Sequence, residues 1–320
     1  MTTELAREEL SRAAPGRPSA VTIGKFDGVH RGHQYLVGLL LEQARTQDLA
    51  SVVITLYPHP ITVLRPGTLV TNLCSLEERV ALLRALGVDQ VGVLSFTSEL
   101  TQLSYQDFLS LLVEQLQLRL LLIGPDFALG RDRQGTADAL RALGDERGFR
   151  VEVVSLLSED AAKVGSGAIR EALSRGDMET VAQLLGRPFA LHGPVVRGAE
   201  RGGQIGFPTA NISIAPDQAL PSFGVYVTWA YLGETAYSSV TNIGQRPTFD
   251  ETRPTIETHL LEFEGTCYER DLRIELLHRL RDEQRFAGVD ELVAQIRRDV
   301  AGARAYFAQT DGRPPEGGQP

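Results

Sequence analysis

From Ala20 to about Val154 the chain alternates short runs of β-branched and aliphatic residues with longer stretches whose apolar positions recur every three or four residues. The runs Val21-Thr22-Ile23, Ser51 to Leu56, Gln90 to Leu94, Leu120 to Ile123 and Val151 to Val154 predict strands. The stretches between them predict helices. Two carry capping signals at their starts: Ser75 with Glu78 three positions on, and Ser104 with Asp107. Repeated strand–helix units of this kind predict a parallel sheet covered by helices.

The pattern changes near Gly186-Arg187-Pro188. From Phe189 to about Leu280 short strands alternate with turns, at Val195-Val196, Val225 to Tyr231, Tyr237 to Val240, Ile256 to Phe263 and Leu272 to Leu277. This predicts an antiparallel barrel or sandwich. Beyond Gly288, Leu292, Ile296, Val300, Ala303 and Phe307 share one helical face, which predicts a single amphipathic helix packed across the barrel. At roughly 150 residues per domain, 320 residues accommodate two, and no internal repeat makes one a copy of the other. Residues 1–18 are polar with Pro15-Gly16 and Pro18, and 310–320 are rich in Gly and Pro; both ends are expected to be flexible.

Charge narrows the chemistry. The 32 Lys+Arg residues against 41 Asp+Glu leave a formal charge of −9, which disfavours nucleic acid and anionic membranes as partners. All of the basic residues except Lys25 and Lys163 are arginines, so an anionic ligand must be held mainly by Arg, His, backbone N–H groups or a metal ion. Cys74 and Cys267 stand far apart without metal-site spacing, which argues for a reducing compartment and against structural zinc. The first residues lack the apolar run of a signal peptide, and no stretch reaches the length of a membrane span; a cytoplasmic location is expected. Homo-oligomer formation is compatible with all of this and is left open.

The segment Gly24-Lys25-Phe26-Asp27-Gly28-Val29-His30-Arg31-Gly32-His33 joins the first predicted strand to a helix. Ligands of open α/β sheets bind at the carboxyl ends of strands, and a new helix offers free N–H groups to phosphate. Gly28 and Gly32 permit close backbone approach, and His30 and His33 share one side of the helix start. The segment offers no covalent nucleophile, so positioning and charge stabilisation around an in-line attack on phosphorus are the expected chemistry. It is not a Walker loop, because Phe26 stands where Ser or Thr must follow the lysine. Two further segments, Gly124-Pro125-Asp126-Phe127 and Ser166-Gly167-Ala168-Ile169-Arg170, could converge on the same sheet edge, with Asp126, Ser166 and Arg170 as candidate ATP and phosphate contacts. Taken singly, Asp126 also suits a turn, Ser166 a cap and Arg170 a solvated helix face.

A second constellation runs from Gly202 to Asn211. On an extended segment Thr209 and Asn211 project to one face, and such oxygens suit Mg²⁺ carrying nucleotide phosphates. Gly206, Pro208 and Thr209 are candidate ATP contacts; a tight turn with Asn211 as its cap is the plain alternative. Glu257, in an alternating strand, could accept a proton from an attacking hydroxyl if it faces the barrel's inside or mouth, whereas an outward Glu would merely be solvated. Asn242 to Phe249 forms a polar loop with an aromatic residue suited to a planar heterocycle.

With these motifs in this order, residues 20 to 308 resemble the bacterial bifunctional riboflavin kinase/FMN adenylyltransferase (FAD synthetase) family. The G-x-F-D-G-x-H-x-G-H motif is similar to that of a wide nucleotidylyltransferase superfamily, while G-F-P-T-A-N is far more specific to riboflavin kinases. The resemblance implies a Rossmann-like FMN adenylyltransferase domain over residues 19–186 and a six-stranded Greek-key riboflavin kinase barrel with its terminal helix over 187–309. It implies ATP as co-substrate, Mg²⁺, and riboflavin, FMN and FAD as substrates or products.

Carried over by residue, the resemblance makes Gly24, Phe26, Asp27, Gly28, His30, Gly32, His33, Asp126, Ser166 and Arg170 the adenylyltransferase's ATP contacts, with His30, His33 and Arg170 taking part in transfer. Pro58, His59 and Pro60 become its flavin-side loop. For the kinase it implies Thr209 and Asn211 on Mg²⁺, Glu257 as general base for the ribityl 5′-hydroxyl, and Asn242, Gly244, Arg246 and Phe286 on the flavin side. Gly165 and Gly167 replace a usual Ser and Thr, which predicts weakened adenylyl transfer. Gly203 replaces a frequent Arg, and Lys25 a usually uncharged residue. Two rival functions stay open at this point: a nucleotidylyltransferase for another acceptor with a non-catalytic barrel, and a flavin-sensing regulatory protein.

Overall fold

The structure is a computed structural model and describes residues 2–154, 164–198, 201–245 and 254–310. The chain divides into two compact units, Met1–Ser166 and Gly167–Gln319. The sequence pattern changes later, near Gly186; helices Ser166–Arg175 and Met178–Leu185 fall almost wholly in the second unit. There the Leu173 carbonyl accepts the Ser222 N–H at 2.9 Å, Glu179 bonds His278, and the second of the two helices packs on barrel strands.

In the first unit the strands β1 (Ser19–Gly24), β2 (Ala50–Tyr57), β3 (Gln90–Ser95), β4 (Leu118–Ile123) and β5 (Arg150–Val153) pair in parallel in the order β3-β2-β1-β4-β5. Alternate side chains leave the two faces of this sheet. Val21, Ile23, Val52, Ile54, Leu121 and Ile123 pack with helices α1 (Thr2–Arg12), α5 (Tyr105–Leu116) and α6 (Ala137–Arg147). On the opposite face Ala20, Val53, Leu120 and Leu122 pack with α2 (Arg31–Thr46) and α4 (Leu76–Ala85). Both capping signals are realised: Ser75 Oγ accepts the Glu78 N–H at 3.0 Å, and Ser104 Oγ accepts that of Asp107 at 3.1 Å.

One expectation fails at the amino terminus. Residues 2–12 form α1, with Ala6, Leu10 and Ala13 buried. Glu9 accepts both the N–H and the hydroxyl of Ser95, at 2.8 and 2.5 Å, and Arg7 pairs with Glu114 at 2.6 Å. The polar surface of this helix concealed three small or aliphatic residues spaced for one stripe. The expected tail at 311–320 lies outside the described residues.

The second unit is a closed barrel in the order β10-β7-β6-β11-β8-β9, which decides between barrel and sandwich. Its strands are β6 (Phe189–Val196), β7 (Ala210–Ile212), β8 (Gly224–Leu232), β9 (Thr235–Gln245), β10 (Pro254–Leu260) and β11 (Asp271–Asp282). The inner face mixes apolar residues with a chain of hydroxyls, Ser239–Thr228–Thr241–Thr258, at 2.7, 2.8 and 3.0 Å, so these buried donors satisfy one another. The terminal helix, Val289–Gln309, covers Val225, Val227, Trp229 and Val240 on the outer face with Ala303 and Phe307. Buried Asp299, on that helix, takes a two-pronged grip from Arg281 at 2.9 and 2.7 Å. Hydrophobic periodicity gives no sign of that grip.

If α1 belongs to the fold, Leu10→Ala should destabilise the first unit by about 2–4 kcal/mol, as core truncations do. Urea unfolding followed by far-UV circular dichroism checks this; an unchanged midpoint would return α1 to a dispensable tail.

Candidate active sites

The strand order reverses direction between β1 and β4, and the loops after these two strands diverge there. The loop after β1 is shaped by left-handed backbone at Phe26 (φ 48°), Gly28 (φ 75°) and Val29 (φ 39°). Two non-glycine residues in that region need support from behind, and buried groups supply it. The Asp27 carboxylate accepts the Leu73 N–H at 2.8 Å and lies 3.7 Å from the Arg79 guanidinium, both side chains being only 2% exposed. Gly28 donates its N–H to Cys74 Sγ at 3.2 Å. Arg79, on α4, also reaches the Leu56 carbonyl at 3.3 Å, and the Thr55 hydroxyl donates to the Lys25 carbonyl at 3.0 Å. Asp27 is thus engaged beneath the loop, and its effect is to hold the loop's shape. Burial pushes the Cys74 thiol up to about 12, so it stays protonated and packs as a small apolar group.

His30 and His33 come together as the spacing predicts, their rings stacked 3.6 Å apart at 19°, with Phe26 edge-on to His33 at 5.1 Å. His33 as a residue is half-buried, yet its Nδ1 is fully enclosed and meets no hydrogen-bond partner among the described residues. Desolvation, then the neighbouring His30, Lys25 and Arg79, hold its pKa well below the ordinary imidazole value. Space at Gly32 is tight: a β-carbon would stand 3.2 Å from His30 Nδ1 and 3.5 Å from the Val164 carbonyl.

The other residues singled out in this half are placed as follows. Asp126 is exposed in the loop after β4, its carbonyl bound by Arg133 at 2.9 Å. Pro58, His59 and Pro60 follow β2; buried His59 accepts the Ile61 N–H at 3.2 Å through Nδ1 and caps helix α3 (Pro60–Leu64). Ser166 is the last residue of the first unit, and Arg170 belongs to the second. Gly165 and Gly167 have open space where a β-carbon would stand, so the hydroxyl residues they replace would fit. A cavity of about 570 Å³ opens at the opposite, amino-terminal edge of the sheet. Arg17, Asp48 and Asp89 line it, Arg17 pairing with both aspartates, and it includes none of the residues singled out from sequence.

In the barrel, Glu257 of β10 stands directly opposite Asn211 of β7 and Asn242 of β9. Directly paired residues share a face, so these three form a polar row across three strands. Burial alternates along β10, with Ile256, Thr258 and Leu260 inside, which places half-buried Glu257 on the outer face. The inner position considered from sequence is therefore corrected: the inside is taken by the hydroxyl chain, and Glu257 faces outward, half-buried beside Asn211 and Asn242 rather than fully solvated. Asn242 lies opposite Val225, which packs in the cluster under the terminal helix.

The glycines of this half are close-approach positions. A β-carbon on Gly198 would meet the Asn211 amide at 2.4 Å, one on Gly202 would meet the Phe207 carbonyl at 2.3 Å and lie 3.4 Å from Thr209 Oγ1, and one on Gly244 would strike Glu283 at 2.2 Å. Gly206 has φ +86°, the turn that sends Pro208 and Thr209 back towards β10, while Gly203 faces open space that a larger side chain would fit. Phe286 is half-buried and lies under the Arg281 guanidinium at 5.8 Å. Arg246 lies outside the described residues. Sequence reasoning missed His259, whose Nδ1 lies 2.8 Å from the Pro208 carbonyl and whose ring meets Phe207 edge-on at 5.6 Å; its position two residues beyond Glu257 on the same face was the available signal.

Comparisons with known proteins match two families in sequence order. The FAD synthetase family model matches residues 13–168 and the riboflavin kinase model residues 185–307. The bifunctional riboflavin kinase/FMN adenylyltransferase of Escherichia coli K12 is 39% identical over 299 residues, 93% of this chain and 95% of that one. The Bacillus subtilis protein of the same name is 35% identical over 91% of this chain and 93% of its own. A solved structure titled as a macrolide-efflux protein from Streptococcus pneumoniae superposes with a TM-score of 0.82 at 30% identity, covering 90% of this chain and 94% of that one. Among the described residues no helix is long and apolar enough to cross a membrane. With both family models matching in sequence order and relatives aligned over nearly its whole length, the chain belongs to the bifunctional riboflavin kinase/FMN adenylyltransferase family.

Proposed function

We propose that the two halves act in series at separate sites: the barrel transfers the γ-phosphoryl group of ATP to riboflavin, and the parallel-sheet half transfers AMP from a second ATP to the FMN so formed. The observation that carries the reading is the row Asn211–Glu257–Asn242, which sets a carboxylate between two amides beside the glycine-lined turn. In the first step Glu257 accepts the proton of the ribityl 5′-hydroxyl as its oxygen bonds to the γ-phosphorus, the bond to the β–γ bridging oxygen breaks, and ADP leaves. Asn242, with Gly244 and Phe286, belongs to the flavin side.

Thr209 and Asn211 suit a nucleotide-borne Mg²⁺ by their chemistry: they are neutral oxygen donors two residues apart, on a segment packed closely against Gly198 and Gly202. That ion, when bound, supplies charge neutralisation to the phosphate oxygens. Gly206 and Pro208 shape the turn beside those phosphates.

In the second step a phosphate oxygen of FMN attacks the α-phosphorus of ATP and pyrophosphate leaves. His30 and His33 donate N–H groups to the phosphates, His33 as the neutral imidazole, together with backbone N–H groups at the start of α2. Gly24, Phe26, Gly28 and Gly32 give the loop its shape, Asp27 braces it, and Asp126 belongs to the loop after the neighbouring strand. Pro58, His59 and Pro60 belong to the flavin side of this reaction.

Glu257→Gln should lower kcat for riboflavin phosphorylation by about 10²–10⁴-fold while FMN-to-FAD conversion persists. The double change His30→Ala with His33→Ala should do the reverse. Chromatography of flavin products after incubation with ATP and Mg²⁺ reads both; equal loss of both activities in either folded variant would contradict separate sites.

His33 also makes stability depend on pH. Its folded pKa lies below the unfolded value near 6.5, so between the two the unfolded chain holds more protons, and stability falls as pH drops below about 6.5. Urea midpoints at about pH 7.5 and pH 5.5 should therefore diverge more for the wild type than for His33→Asn. An equal acid-induced loss in both proteins would remove His33 from this role.

A further inference from the structure

The contact between His259 and Pro208 has no part in the proton transfer assigned to Glu257, yet it joins the same strand to the nucleotide-side turn. A carbonyl oxygen can only accept, so at 2.8 Å His259 Nδ1 must carry the hydrogen, and the imidazole is held as its Nδ1–H tautomer or as the cation. Its ring is fixed by an edge-on contact with Phe207 at 5.6 Å, so the donor is held by packing as well as by the hydrogen bond.

The consequence follows from peptide geometry. The Pro208 carbonyl and the Thr209 N–H belong to one planar peptide, and Tyr57–Pro58 is the only cis bond among the described residues, so this peptide is trans. Fixing the carbonyl toward His259 turns the Thr209 N–H to the opposite side, and a donor on the carbonyl polarises the same amide. The register that sets Glu257 opposite Asn211 and Thr258 opposite Ala210 brings His259 opposite Thr209 when continued by one step. Strand β10 therefore carries the proton acceptor and, two residues along the same face, a brace on the phosphate-side turn.

We infer that His259 is a positioning residue for the nucleotide in riboflavin phosphorylation, orienting the Pro208–Thr209 peptide so that Thr209 meets the ATP phosphates. The inference rests on the kinase reading above and adds to it a residue that governs ATP affinity. Its chemistry assigns to His259 a role in KM for ATP and none in the abstraction of the ribityl proton.

The test uses the full-length chain with riboflavin, ATP and Mg²⁺. His259→Phe keeps a ring against Phe207 and removes the donor; His259→Asn replaces Nδ1–H with an amide N–H at a similar reach. The expected result is a rise of about tenfold in KM for ATP in His259→Phe, the loss of one hydrogen bond to an oriented group. kcat should stay within about twofold of wild type, and His259→Asn should recover most of the KM. FMN adenylylation, measured on the same preparations, should be unchanged in both variants, and the retained kcat for riboflavin phosphorylation reports a folded barrel. An unchanged KM for ATP in His259→Phe, a loss confined to kcat, or parallel loss of both activities would overturn the inference. Wild-type protein that adenylylates FMN but leaves riboflavin unphosphorylated would overturn the kinase reading itself, and the inference with it.

Discussion

The buried pairing of Asp27 with Arg79 and with the Leu73 N–H is the contact on which the first site depends. The loop adopts left-handed backbone at Phe26 and Val29, and buried groups brace it from behind. With only two lysines in the chain, Lys25 is the one flexible cation in this loop between β1 and α2, and the other donors it offers are fixed. A neutral, desolvated imidazole is one such donor, and it costs less to bury than its protonated form. The ion pair itself needs its hydrogen-bond partners to justify burial, and Leu73 N–H, the Leu56 carbonyl and Thr55 surround it.

The barrel solves the same problem with different parts. There the turn bearing Thr209 is shaped by Gly206 and by close packing at Gly202, and it is held by His259 from the strand that carries Glu257. The polar row Asn211–Glu257–Asn242 lies on the outer face because the inside is already committed to a closed set of hydroxyl pairs. A carboxylate placed inside would have met those hydroxyls and lost its access to any substrate. The Arg281–Asp299 grip keeps the terminal helix seated over the same outer face.

Much of this was legible in the sequence, for identifiable reasons. The inner strands β1, β2 and β4 stood out because apolar runs inside a parallel sheet are buried on both faces, the edge strands β3 and β5 because of their short aliphatic runs, and α4 and α5 through their caps. His30 and His33 were found because three-residue spacing at a helix start brings rings together. What escaped notice depended on contacts distant in sequence. Asp27 reads as one acidic residue of a phosphate motif until Leu73 and Arg79 arrive beneath it. Strand β7 is only Ala210–Ile212, too short for alternation to register. Helix α1 looked like a tail because its buried stripe of Ala6, Leu10 and Ala13 is nearly as small as a stripe can be. His259 carries no motif beyond its place two residues after Glu257, and its meaning depends on the carbonyl it faces.

The central claim is that one chain carries two independent phosphate-handling sites whose reactions follow one another. Mixing two variants, each lacking one of the two reactions, tests this most directly: Glu257→Gln, which lacks the proton acceptor, and the His30→Ala/His33→Ala variant, which lacks the imidazole donors. The account predicts that neither alone converts riboflavin to FAD and that the mixture, supplied with ATP and Mg²⁺, does so through free FMN. A mixture that stays inert while each variant keeps its own remaining activity would contradict two sites joined by a released intermediate.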